Sequence, residues 1–506
     1  MTDPARRPHR SSAEKSPVEK GPAPAEKAPA PPHAPVRPAP RPTNLGELRA
    51  AGHRPRTVKQ ELRANLMARL AADEPVFPGI IGYEDSVIPA VENAILAGQD
   101  IVFLGERGQA KTRLARLLVG MLDDAVPFVE DSELHEDPLA PITAATRDRI
   151  ELEGDETPID WLPSDRRYGE KLATPDITIA DLIGEVDPIK VAEGRYLADE
   201  STIHYGLIPR SNRGIFTINE LPDLAERIQV GLLNILEERD VQVRGYTLRL
   251  PLDLFVVASA NPADYTSRGR IITPLKDRLG SQIRTHYPRT IEHEIAIMRQ
   301  ERTLFEPGDG PEIAEPDFML QVIAELSHLA RRAPEISQRS GVSVRVSVAN
   351  LETLLANAAK RAIRLGESSG APRVSDLGAL IPSTTGKIEL ESMGDEAPEE
   401  RIVDRLMSRA LFNVFGRSVE LGDLDAVVEA FESGLVIETG EMVPSREYVR
   451  WVRETPGLGE AVSRLGVGES PAGIASAVEF LLEGLHLHRR LNKDRSAPGG
   501  GGKYRR

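Results

Sequence analysis

The chain has 506 residues and a formal net charge of -15, so it is long enough for several domains and offers no long-range pull towards nucleic acid or an anionic membrane. It contains no cysteine, which excludes disulfides and cysteine-based metal or catalytic chemistry. Aromatic side chains make up 4% of it, too few for base stacking to be its main activity.

No run reaches the roughly 18 apolar residues needed to cross a bilayer, and the N-terminus lacks the apolar core of a secretory signal. The chain is expected to be cytoplasmic, with no membrane insertion. Residues 1–43 hold about a dozen of the 40 prolines and hardly any large apolar side chain, so burial cannot offset their ordering entropy. They are expected to form a disordered Pro/Ala-rich tail. A helical lead-in covers residues 44–77, where VKQELRANLMARLAA repeats apolar residues at helical spacing.

Residues 78–290 change character. SVIPAVENAILAG (86–98) predicts an amphipathic helix ended by Gly98, and DIVFLG (100–105) is a continuous apolar run of strand length. Similar runs recur as GIFTI (214–218), LFVVASA (254–260) and QIRTHY (282–287), with the helical DLAERIQVGLLNILEERD (223–240) between them. Strands alternating with helices predict an α/β domain with a mostly parallel sheet covered on both faces, which takes nucleotides at the carboxyl ends of its strands. Beyond residue 291 the strand signals fade. Helical domains are predicted over 291–385 and 386–492, and a loose, Gly-rich and basic tail over 493–506.

Between the first strand and the next helix lies GERGQAKT: Gly105, Glu106, Arg107, Gly108, Gln109, Ala110, Lys111 and Thr112. It is one residue away from the phosphate-binding pattern, because Ala110 stands where the second Gly belongs. Such a loop works because main-chain N–H groups and a helix start converge on the anion, with Lys111 reaching the terminal phosphates and the Thr112 hydroxyl reaching magnesium. Ala110 adds one methyl group, tolerated where the backbone is not at positive φ. The apolar strand GIFTI ends in Asn219 and Glu220. Glu220 is suited to polarise an attacking water, whereas Asn219 keeps a hydrogen-bonding shape at the metal side without a charge. Asn261, just beyond LFVVASA, can orient that water. Arg278 precedes the last strand and Arg345 stands at the start of a helix; an Arg from a neighbouring subunit or from a lid can stabilise charge on a transferred phosphoryl group.

The order of these elements resembles the AAA+ ATPases of the MoxR and magnesium-chelatase I-subunit (ChlI/BchI-like) group. The resemblance covers about residues 78–366 and is carried also by ADLIGEVDPIKVAEGRY, HYGLIPRSNRGIFTINELPDL, NILEERDVQVRGYTLRLPLDLFVVASANP and ITPLKDRLGSQI. About a hundred residues separate Lys111 from Glu220, which fits inserted elements, and VQVRGYTLRL (241–250) has the alternation and central Gly of the group's hairpin. The resemblance implies a P-loop AAA+ domain followed by an α-helical lid and a helical C-terminal extension. It further implies ATP and Mg2+ as cofactors, Glu220 as catalytic acid-base residue, Asn261 as sensor 1, Arg278 as a finger in trans and Arg345 as sensor 2. A homo-oligomer, a hexameric ring, is implied with it, together with a chaperone-like remodelling role on a von Willebrand factor A-domain partner. Because Ala110 and Asn219 depart from the pattern, a hydrolysis-impaired scaffold stays open beside the motor. DNA-acting AAA+ proteins are disfavoured by the -15 charge and by the absence of a Gly-Ala-Phe-Thr-Gly-Ala run.

Overall fold

The computed structural model describes residues 41–187, 189, 192, 202–237, 241–243, 246–248, 250–261, 270–303, 308, 310–337, 341–389, 399–495 and 501–506. The expected N-terminal tail lies outside them up to residue 40.

Five parallel strands form the central sheet: β1 Ile101–Leu104, β2 Tyr168–Leu172, β3 Gly214–Asn219, β4 Leu254–Ala260 and β5 Ser281–Arg284. Their spatial order is β5-β1-β4-β3-β2. β3 and β4 are buried along their whole length, which explains why they read as continuous apolar runs rather than as alternating ones. Successive side chains still point to opposite faces. Leu254, Val256 and Ala258 enter one core, Phe255 and Val257 the other.

On the second of these faces lie helices α1 Val58–Ala71, α2 Val87–Ala97 and α3 Lys111–Leu117. The first face is covered by α4 Glu226–Glu237 and α5 Thr273–Arg278. A capping box between Thr57 and Gln60 starts α1, and Gly98 at φ +68 ends α2 in the left-handed conformation that a glycine stop provides. The long interval between α3 and β3 holds two antiparallel pairs, Ala125–Val129 with Ile159–Pro163 and Gly184–Val186 with Ile203–Tyr205. The hairpin expected before β4 is present as Val241–Val243 paired with Tyr246–Leu248, its turn residues lying outside the described ones.

Beyond β5 the chain is mostly helical: α6 Ile291–Glu301, α7 Asp317–Ala330, α8 Val344–Leu365, α9 Glu399–Ser418 and α10 Pro471–Leu487. Met298, Leu354, Phe415 and Phe480 belong to one continuous core. The helices on either side of the boundary expected near residue 386 therefore share one apolar interior. This is an α/β domain with a parallel sheet covered by helices on both faces, followed by a helical C-terminal region. One expectation is corrected. Residues 493–506, read as a loose tail, contribute to Asn492–Arg495 and Gly502–Arg505, which pair antiparallel and extend onto Ile437–Glu438. The physical reason is Tyr504: it is 1% exposed and its hydroxyl donates to Glu483, so a single aromatic anchor holds a segment whose composition alone reads as unstructured.

Candidate functional site

Three adjacent parallel strands bring the sequence-selected residues together. Gly105 leaves β1 with its N–H donating to Ala260 O at 3.1 Å, and Leu104 is in register with Ala260. β4 then ends at the buried Asn261, and β3 ends at the buried Asn219 followed by the half-buried Glu220. The loop at 105–112, Asn219, Glu220 and Asn261 thus meet at the carboxyl edge of the sheet, where folds of this kind take ligands.

The loop is braced by the chain that follows β5. The Gln109 side chain accepts from Glu106 N–H at 3.0 Å and from the Thr285 hydroxyl at 2.8 Å. Tyr83 donates to Gln109 O (2.9 Å) or His286 O (2.8 Å), and Tyr287 donates to Arg107 O at 3.0 Å. Burial pushes the Tyr83 phenol up to about 12, and burial together with the Glu106 carboxylate raises that of Tyr287. Both remain donors at any physiological pH. Gly105 has no room for a side chain, since a Cβ there would meet Thr285 Oγ1 at 1.8 Å. Lys111, 7% exposed, folds back onto the loop and donates to Gly105 O and, at 2.9 Å, to Glu106 O.

Two backbone dihedrals stand out. Ala110 has φ +56 and ψ +16, so the condition under which its methyl group was expected to be harmless does not hold. The loop demands a left-handed residue there, and a Cβ in that conformation costs about 1–2 kcal/mol. Glu220 also sits in the left-handed region, at φ +54 and ψ +48, with its N–H donating to Ser259 Oγ at 3.1 Å. Both are non-glycine residues in a left-handed conformation at the carboxyl edge of the sheet.

Behind the loop, the Thr112 hydroxyl donates to Asn219 Oδ1 at 3.3 Å, and Ser259 Oγ donates to the same oxygen at 3.2 Å. Asn219 Nδ2 donates to Glu170 Oε1 at 2.7 Å. Glu170, on β2, is gripped from its other side by Arg116 Nε and a second guanidinium nitrogen (2.8 and 3.1 Å) and by the Tyr168 hydroxyl at 3.1 Å. Burial pushes the Glu170 carboxyl up, but hydrogen bonds from Arg116, Tyr168 and Asn219 outweigh it and hold the group below the usual carboxylate range. It is a carboxylate at neutral pH.

A small cleft of about 70 Å³ opens beside the loop, lined by Ile80, Ile81, Ile297 and Val344 and by Gly108, Gln109 and Ala110. That combination, apolar walls next to a polar loop, suits a flat heterocycle joined to a charged tail. Hard oxygens at Thr112 and Asn219 suit magnesium, and the Lys111 ammonium suits phosphate, so the residues present fit a magnesium nucleotide. Arg345 is exposed in the first turn of α8, two residues after Ser343, whose hydroxyl lies over Gly108. Arg278 is not brought to this cleft. It stands exposed at the end of α5 with its guanidinium 3.2 Å from the Asp277 carboxylate.

No protein-family model matches the chain. Over 98 residues, 19% of its length, it is 28% identical to the acetoin dehydrogenase operon transcriptional activator AcoR of Bacillus subtilis (strain 168). Over 201 residues, 37% of its length, it is 25% identical to the uncharacterized protein YeaC of the same organism. These matches span 16% of AcoR and 59% of YeaC. A structure of the complex between subunits BchI and BchD of magnesium chelatase matches 63% of this chain and 98% of its own, at 20% identity and a TM-score of 0.34.

Glu170, Tyr83, Tyr287 and Ser343 were not singled out from the sequence. YGEKL carries no local signal that its carboxylate faces Asn219, because the pairing of β2 with β3 creates that contact across 49 residues. For Tyr83 the only hint is its place beside the Gly82 turn, ahead of the helix leading to the loop.

Proposed function

We propose that this chain binds ATP with magnesium in the cleft beside residues 105–112 and hydrolyses it, as an AAA+ motor of the MoxR and magnesium-chelatase type that remodels a partner protein. The observation that carries the reading is the convergence of the Lys111 and Thr112 loop with Asn219, Glu220 and Asn261 at the ends of three adjacent parallel strands. Bound magnesium would neutralise phosphate charge. The chain's own groups do the rest. Lys111 exchanges the carbonyls of Gly105 and Glu106 for phosphate oxygens, an exchange of like acceptors that leaves no buried ammonium unpaired. Glu220 holds and polarises the attacking water, and Asn261 orients it. Arg345 reaches the terminal phosphate from the lid. Arg278, exposed and away from its own cleft, is suited to act on a neighbouring subunit's nucleotide, which requires a homo-oligomer, in this reading a hexameric ring. A cytoplasmic setting and a von Willebrand factor A-domain partner complete the proposal, on the strength of the sequence resemblance.

A second reading is favoured by the neutral Asn219: a scaffold in which bound ATP fixes an assembly without turnover. Single-turnover phosphate release separates the two. In the motor, Glu220→Gln lowers release by about a hundredfold or more while nucleotide stays bound. In the scaffold, wild type and variant both retain ATP. A chain that shows no heat of association with magnesium ATP overturns both.

A further inference from the structure

Asn219 occupies the position where the strand-ending acid is missing, yet its neighbour across the sheet is charged. β2 and β3 run in the register Glu170↔Thr217 and Leu172↔Asn219, which lets the Glu170 side chain reach along the sheet edge to the Asn219 amide. Asn219 is therefore polarised from both ends: Nδ2 donates to the Glu170 carboxylate at 2.7 Å, and Oδ1 accepts from Thr112 at 3.3 Å and Ser259 at 3.2 Å. The reverse orientation of the amide would set its oxygen against a carboxylate oxygen and its NH2 group towards two hydroxyls, so the carboxylate decides which way the amide points. Donation to an anion also draws electron density towards Oδ1 and strengthens it as an acceptor or ligand. Arg116 lies one helical turn after Thr112 on α3 and grips the far side of Glu170, so α3 anchors both ends of this chain of contacts.

We propose that Glu170 is a positioning residue for the metal side of the site, holding the Asn219 amide with its oxygen towards Thr112 and supplying through it the negative charge that position 219 lacks. The inference rests on the magnesium-nucleotide reading above. It has a consequence that runs against simple restoration of the missing acid. In Asn219→Asp, two carboxylates face each other where an amide now donates to one, and their repulsion disorders the metal side instead of improving it. Replacing Glu170 by Gln at the same time returns a donor opposite the acid, so the charge has changed strands while the pair persists.

The test is the affinity of the full chain for a fluorescent ATP analogue, with and without magnesium, in a Glu220→Gln background that suppresses turnover. Glu170→Gln is expected to weaken the magnesium-dependent affinity about tenfold and to leave metal-free affinity unchanged. Asn219→Asp alone weakens it as well, and the double variant returns to within about threefold of the parent. A Glu170 that merely supported the fold would lower both affinities together with the melting temperature, and the double variant would then be no better than the singles. Should Glu170→Gln unfold the chain, Asn219→Asp on its own decides, since a gain in magnesium-dependent affinity overturns the proposal. Equal magnesium dependence of parent and Glu170→Gln overturns it alone. Absence of any association by the parent overturns it together with the nucleotide reading.

Discussion

The Ser343 hydroxyl fills the space that a side chain on Gly108 would need: a Cβ built on Gly108 comes within 1.9 Å of Ser343 Oγ. The contact joins the phosphate-type loop to the segment that starts α8, the helix carrying Arg345, so the position of the lid is set directly on the loop. Gly108 also sits at φ +76. Gly108→Ala therefore has to strain its backbone and displace the lid segment at once. The expected outcome is a destabilisation of about 1–3 kcal/mol by urea unfolding, accompanied by loss of nucleotide-induced stabilisation. A variant that keeps full ATP protection would mean that the lid does not need this contact.

Ala110 makes the converse case. It is held at φ +56, where glycine is unstrained and alanine is not. Ala110→Gly relieves that strain while adding some freedom to the unfolded chain, and the balance is expected to favour the variant by about 0.5–1 kcal/mol. Nucleotide affinity should hold or rise, because the loop's shape is kept and a methyl group leaves the cradle. A fall in melting temperature of several degrees would show that the methyl group's packing outweighs the left-handed penalty.

These two positions also mark the limit of what the sequence discloses. β1, β3 and β4 were legible because buried parallel strands are spelled as uninterrupted apolar runs, and α2 because Gly98 stops a helical period. Lys111 and Thr112 were legible because a loop between a strand and a helix is a local pattern. The dihedral angle of Ala110 was not, since an alanine does not announce φ +56. Nor was Glu170: its contact with Asn219 follows from strand order, and strand order depends on how the inserted pairs return the chain to the sheet. Tyr504 escaped for a different reason, because one aromatic residue in a Gly-rich basic segment has no periodicity to detect.

Arg278 allows a test that no single-subunit property can imitate. If the site is shared, Arg278→Ala and Lys111→Ala chains are each defective, but a mixed ring contains interfaces with an intact loop on one side and an intact Arg278 on the other. Random mixing at equal concentrations restores about a quarter of the sites, provided exchange is complete. Phosphate release should rise from near zero for either variant to about that fraction. No recovery in rings shown by mass to be mixed would remove Arg278 from the shared site.

A buried ion pair between the helices that follow β5 should make stability depend on acid. Glu294, on α6, is fully buried and accepts two hydrogen bonds from Arg331, at 2.7 and 2.8 Å, and one from Ser347 on α8. Arg331 in turn donates to Val342 O at 2.9 Å and stacks 4.6 Å from the centre of the Tyr287 ring, so the pair ties the lid helices to the segment that holds Arg107. Burial raises the Glu294 carboxyl, but the neighbouring His328 ring, 3.6 Å away, the hydrogen bonds and charge of Arg331 and the hydrogen bond from Ser347 outweigh it and bring the group from 4.5 down to about 2. A folded-state value below the unfolded one means that the stabilisation is fully present above pH 4.5 and is lost as pH falls towards about 2. The difference corresponds to about 3 kcal/mol. Glu294→Gln is accordingly expected to lose about that much at pH 7, and the gap between variant and wild type should narrow as the pH drops to about 3, read from urea midpoints at both values. An equal gap at the two pH values would mean that packing around position 294, and not its charge, holds the lid helices together.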